Sequence, residues 1–291
     1  MKRPLLLLCA IFTFSAAKLF SQNYALVLSG GGGKGGYEVG VWKALNEYGI
    51  AQKVTVISGT SVGGLNAGLF AVAPMDRIED IWLNEVPLEL NQDGEAISQK
   101  GLMNIMKRIS FFPMGEQESP DVYVTCCHSW KDGVGGLLDV GVQIAKAATK
   151  SIFDYAYRFR LNDEDSQDEI RKKMLATSAY PVLTDPVRLS DGKLYSDGGA
   201  ADNTPIEPVI QYKPDIIIVV HLSAWTPKLQ KNKWPGYTVI DIVPSDEMRW
   251  FGGMLDFSRE WTERNIQLGY DDTVKWLKAN GMYPVEDYWF Y

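Results

Sequence analysis

The chain of 291 residues is 46% hydrophobic and 22% charged, which suits one large globular domain or two small ones and excludes a disordered or fibrous protein. A formal charge of −7, with no basic run longer than Arg171–Lys173, argues against nucleic acid as a partner. Three cysteines, Cys9 and the adjacent Cys126 and Cys127, make no disulfide framework, because neighbouring cysteines bridge only through a strained ring.

Lys2 and Arg3 precede an apolar run from Pro4 to Ala17 that ends in Ser15-Ala16-Ala17, the pattern of an export signal. The run is shorter than the roughly 20 residues of a membrane-spanning helix. Leu8 before Cys9 speaks against a lipoprotein signal. Removal of residues 1–21 takes away Lys2, Arg3 and Lys18 and moves the formal charge from −7 to −10. The expectation is a signal peptide over 1–21, an exported mature chain, and a single domain over 22–291.

Tyr24 to Leu28 is a short apolar run bounded by glycine, as in a buried parallel strand. Over residues 35–49 the apolar positions Tyr37, Val41, Ala44, Leu45 and Tyr48 share one helix face, and Gly49 stops it. Lys53 to Ile57 predicts a second strand and Val62 to Val72 a second helix. This alternation predicts an α/β fold of three layers, α/β/α, around a mostly parallel sheet. Between Pro87 and Gly136 the pattern weakens, with short apolar pieces such as Met103 to Ile109 and Val122 to Cys126, and loops, one strand and a mobile cover are expected there. Residues 139–160 and 166–176 are predicted helical, Asp215 to Leu222 and Val239 to Val243 extended, and Glu247 to Gly281 helical.

The stretch Ser29 to Gly36, with four consecutive glycines, joins the first strand to the first helix. Glycines there present backbone N–H groups to an anion without obstruction, at the positive end of the following helix. Gly30, Gly32 and Gly35 also satisfy a dinucleotide fingerprint, but Ser58-Gly59-Thr60-Ser61 stands where such a site wants an acid at the end of the second strand. A nucleotide is therefore not expected.

Gly59-Thr60-Ser61-Val62-Gly63 is a G-x-S-x-G turn between a strand and a helix, the setting that raises a serine oxygen above a sheet. The bland alternative is a tight turn with a capping serine. A nucleophile needs a base. One candidate is Asp197, beside Gly198 and Gly199; the other is His221, which completes the order Ser61, Asp197, His221 but sits in a strongly apolar strand that favours a core or strand-end role. His128 is expected in a loop, and Cys126 and Cys127 as buried thiols. No metal site is expected, because two cysteines and one histidine in a row cannot all reach one tetrahedral ion.

Together, the glycine loop, the elbow serine and the distant Asp-Gly-Gly resemble the patatin-like phospholipase family. Ala176 to Val187 is similar to the family's stretch before the aspartate, and Asn203 and Pro205 to its N-x-P after it. The resemblance spans about residues 24–222 and leaves 223–291 unassigned. It implies that Gly30, Gly31, Gly32, Lys34 and Gly35 form an oxyanion loop, that Ser61 is the nucleophile between Gly59 and Gly63, and that Asp197, with Gly198 and Gly199, completes a Ser–Asp dyad. Lys34 replaces the family's commoner arginine. The implied activity is hydrolysis of phospholipid or related lipid esters at a membrane or micelle surface, without a cofactor. A catalytically silent lipid-binding protein and a Ser-His-Asp esterase using His221 are the alternatives. In the tail, Met248, Trp250, Phe251, Met254, Leu255, Phe257 and Trp261 are membrane-contact candidates. Trp250, Met254, Phe257 and Trp261 equally form a core-facing helical stripe.

Overall fold

The computed structural model describes residues 22–90, 97–111, 119–129, 156–181, 183–223 and 233–285. The expected signal peptide, residues 91–96, 112–118 and 130–136 of the stretch expected to hold loops and a mobile cover, and residues 139–155 of the helix expected over 139–160 lie outside them.

Among the described residues the eight strands are β1 (Tyr24–Leu28), β2 (Val54–Thr60), β3 (Asp121–Ser129), β4 (Ala156–Arg160), β5 (Val187–Arg188), β6 (Leu194–Asp197), β7 (Ile216–Val220) and β8 (Thr238–Ile242). The central set β3-β2-β1-β7-β8 is parallel throughout. β4, β5 and β6 are antiparallel additions around β3. The buried strands are near-continuous Val, Ile and Leu, as a sheet covered on both faces requires.

Register along β3 positions the site. Tyr123 to Thr125 pair with β2 and β4, while Cys126 and Cys127 pair with β6 and β4. A residue has only two strand edges, so β2 and β6 occupy the same edge of β3, one after the other and in opposite directions. They meet end to end: Thr60 lies opposite Thr125 and Asp197 opposite the next residue, Cys126.

Helices α1 (Gly36–Glu47) and α2 (Val62–Val72) follow β1 and β2. The short α3 (Met75–Asp80) and α4 (Val86–Leu90) lead to α5 (Gln99–Lys107). α6 (Gln167–Thr177) packs on β3, α7 (Glu207–Ile210) precedes β7, and α8 (Trp250–Met254) and α9 (Arg259–Ala279) end the described chain. The main core lies on the face covered by α1, α2, α5, α6 and α9. The other face holds a smaller cluster of Ala25, Val27, Val56, Ile217 and Val219 under Ile206 and Val209.

Three expectations are corrected. The helix predicted over 139–160 is a strand from Ala156 onward, because Tyr157 and Phe159 alternate with Arg158 and Arg160, which ion-pair with Asp202 and Asp121. Around Met103 to Ile109 the weak pattern hides α5, whose Leu102, Ile105 and Met106 are buried. The tail helix breaks at Leu255 to Ser258, where the Ser258 hydroxyl oxygen accepts the Trp261 N–H at 3.3 Å and starts α9 afresh. No described helix is long and apolar enough to cross a membrane.

Candidate active site

Ser61 follows the last residue of β2 and has φ 56° and ψ −129°, the left-handed φ that a side chain rarely adopts. Three bonds hold it there. Its N–H donates to Thr177 Oγ1 at 2.9 Å, that hydroxyl donates to the Thr125 carbonyl at 2.6 Å, and the Ser61 carbonyl accepts the N–H of Gly64 at 2.9 Å. The turn is too tight for side chains: a Cβ at Gly59 would lie 2.1 Å from the Gly63 carbonyl oxygen. Ser61 makes no side-chain cap to α2. The capping reading therefore falls, and the hydroxyl is free for other work.

Asp197 ends β6 where β6 meets β2. Its carboxylate, 4% exposed, accepts the Gly199 N–H at 2.7 Å, and its own N–H donates to the Ala179 carbonyl at 2.9 Å. The Ser61 hydroxyl donates toward this carboxylate and favours its charged form. Burial pushes the Asp197 pKa up to about 6, against the pull of the Ser61 hydroxyl and the Gly199 N–H. The thiols beside it offer no charge, since burial raises Cys126 well above its ordinary range and Cys127 to about 12.

The glycine loop lies against both residues. A Cβ at Gly30 would fall 2.5 Å from Asn203 Oδ1 and 3.0 Å from Ser61 Cβ, so only glycine fits between them. Asn203 grips Gly30 twice: its carbonyl accepts the Gly30 N–H and its Nδ2 donates to the Gly30 carbonyl, each at 3.3 Å. Gly31 abuts Leu222, and Gly35 abuts Val62 and Trp82. The N–H groups of Gly31, Gly32 and Val62 find no acceptor among the described residues. Lys34 is 4% exposed, with its pKa lowered by burial and partly restored by Glu247. A Cβ at Gly198 would lie 2.4 Å from the Thr125 carbonyl oxygen.

Sequence reasoning missed two supports. Thr177, which seats Ser61, carries no local signal beyond lying in the stretch before the aspartate. Asn66 in α2 donates to Glu38 Oε2 at 2.8 Å and to the Gly35 carbonyl at 3.1 Å, and accepts the Trp82 N–H at 2.9 Å. Glu38 is wholly buried and its pKa stands well above the carboxylate range because of that burial. An asparagine in an otherwise apolar helix was the available clue.

Ser61 and Gly32 form part of the wall of an apolar cavity of about 1050 Å³, its open mouth included. Leu65, Leu69, Leu102, Ile105, Phe111 and Met174 supply much of the rest. The lining has the apolar character of a pocket for an apolar ligand.

His221 is elsewhere. Its Nε2 lies 2.7 Å from Asp241 Oδ1, on the face of β7 shared by Ile217 and Val219, whereas Ile218, Val220 and Leu222 face the main core. The sheet separates it from Ser61. His128 is in β3 rather than a loop, against the rings of Tyr157 and Tyr195. Cys126 and Cys127 are buried thiols. Among the described residues no group of three potential ligands could hold a metal. In the tail, Met248, Phe257 and Trp261 are buried, as the core-stripe reading requires for the last two. The side chains of Trp250 and Phe251 lie outside the description.

The family model described as patatin-like phospholipase matches residues 26–210. The chain belongs to this family. It is 28% identical over 227 residues to a lysophospholipase NTE1 of Cryptococcus neoformans, covering 73% of this chain and 12% of that protein. It is also 27% identical over 216 residues to the mouse patatin-like phospholipase domain-containing protein 7, covering 73% and 14%. This chain thus spans about one seventh or less of these relatives' length. A solved structure, VipD from Legionella pneumophila, aligns with TM-score 0.46 and 14% identity over 89% of this chain and 67% of that one.

Proposed function

We propose that the protein is an exported serine acyl hydrolase that cleaves phospholipid or lysophospholipid esters with Ser61 and Asp197. The observation that carries this reading is the strained Ser61 facing a buried, uncharge-paired Asp197 at an apolar cavity. The lysophospholipase names of the relatives support the substrate class.

As the Ser61 oxygen attacks the ester carbonyl, Asp197 takes its proton. The unengaged N–H groups of Gly31, Gly32 and Val62 stabilise the oxyanion; losing one such donor typically costs about 10²–10³ in rate. Asp197 then gives the proton to the departing alcohol oxygen, leaving an acyl group on Ser61. Water enters, Asp197 accepts its proton, and collapse releases the fatty acid and restores the serine. With a pKa of about 6, Asp197 is ionised at neutral pH yet far more basic than a free aspartate.

The test is fatty-acid release from lysophosphatidylcholine, diacyl phospholipid and triacylglycerol by the full chain and by Ser61→Ala. Release by the wild type, lost in the variant together with labelling by a fluorophosphonate, is expected. A folded wild type that neither releases fatty acid nor reacts with the probe would leave a binding protein of the same fold. Export is tested by fractionating cells that express the whole chain; retention of residues 1–21 in a cytoplasmic product contradicts it.

A further inference from the structure

Part of the cavity wall comes from residues beyond the family match. Met254, Leu255 and Phe257 line the same cavity as Ser61 and Gly32, although the match ends at residue 210. The segment presses its carbonyls onto the glycine loop: a Cβ at Gly32 would lie 2.3 Å from the Met254 oxygen, and one at Gly33 2.1 Å from the Asp256 oxygen. Gly32 has φ +57°, so no other residue suits it well. Two of the four glycines are thus required by the tail as much as by an anion.

The segment is also held from behind. Trp261 Nε1 donates to the Gly253 carbonyl at 3.2 Å, and Asp256 Oδ1 accepts the Ser258 N–H at 3.0 Å and hydroxyl at 2.6 Å. Phe257 and Trp261 are buried in the main core. The wall is fixed in place, and it stands against the glycine loop beside Ser61. Met254 and Leu255 are partly buried and wholly apolar, and Asn66, a polar group of the same cavity, is already engaged by Glu38, Gly35 and Trp82. What fits against such a wall is hydrocarbon rather than a headgroup.

We propose that Met254 and Leu255 determine which acyl chains the enzyme accepts, by bounding the first carbons of the chain beyond the ester. This rests on the reading of the cavity as an acyl chamber.

The experiment compares Leu255→Ala and Leu255→Trp in the full chain. The ratio of kcat/KM for p-nitrophenyl dodecanoate to that for p-nitrophenyl butyrate is expected to fall about tenfold in the Trp variant and to rise in the Ala variant, the scale on which a hydrophobic pocket discriminates chain bulk. Opposite shifts cannot come from damaged folding. In a Ser61→Ala background, Leu255→Trp is expected to weaken dodecanoic acid binding, measured by calorimetry, by a similar factor. Ratios and affinities all within about threefold of wild type, in variants that melt as the wild type does, would overturn the proposal. If neither ester is cleaved but Leu255→Trp still weakens dodecanoic acid binding, the wall stands and the catalytic reading fails. If the wild type binds no dodecanoic acid and cleaves neither ester, both fail.

Discussion

Two aspartates stand near the C-terminal end of the same sheet, on opposite faces, and differ in what they hold. Asp241 is 2.7 Å from His221, an imidazole that satisfies it. Asp197 has one backbone N–H and the Ser61 hydroxyl, with no cation among its described neighbours to share its charge. Histidine beside carboxylate is the arrangement usually sought next to a nucleophilic serine, yet here it has no route to one. In the proposed dyad the base is made instead by withholding a counter-charge: burial without a cation raises the proton affinity of Asp197 to where it can serve a hydroxyl.

The largest effect that sharpens this contrast is on rate against pH. Below about 6 Asp197 takes up a proton and ceases to act as a base, so fatty-acid release is expected to fall about tenfold per pH unit there. A profile flat down to pH 5 in protein that remains folded would break the link between burial and basicity.

A smaller effect is on stability. The pKa of Asp197 rises on folding from the ordinary 3.8 to about 6, so between these values the folded chain binds more protons than the unfolded chain. Stability therefore falls as pH rises through that window and stays reduced above it. Asp197→Asn removes this cost and is expected to be inactive yet more stable at pH 7.5, by about 1–3 kcal/mol in denaturant titration. At pH 4 the gain should largely vanish. Equal stability of the two proteins at pH 7.5 would mean that the carboxylate finds compensation in the folded state.

The parts of the site legible in the sequence were those written locally. Four glycines after an apolar run, and G-x-S-x-G after a β-branched one, announce turns that side chains would block, and Asp197 was found by its glycines. Pairing across long separations left no such mark. That β6 runs end to end into β2 depends on Cys126 and Thr125 taking different partners along one edge. Thr177 and Ser61 are 116 residues apart, so nothing local joins them. β4 was misread because its alternation is only five residues long and follows a stretch with helical spacing. The tail was read as one continuous helix, since its break at Leu255 to Ser258 answers to the glycine loop and not to its own periodicity.

The most direct test of the account is fatty-acid release from lysophosphatidylcholine by Asp197→Asn and His221→Asn, measured side by side in full-length, folded protein. Asp197→Asn is expected to lose at least about 10³-fold in kcat, as removal of a base does in a serine hydrolase, while His221→Asn keeps activity within about threefold. Activity that survives the first substitution and disappears with the second would contradict the account and give the serine a histidine base.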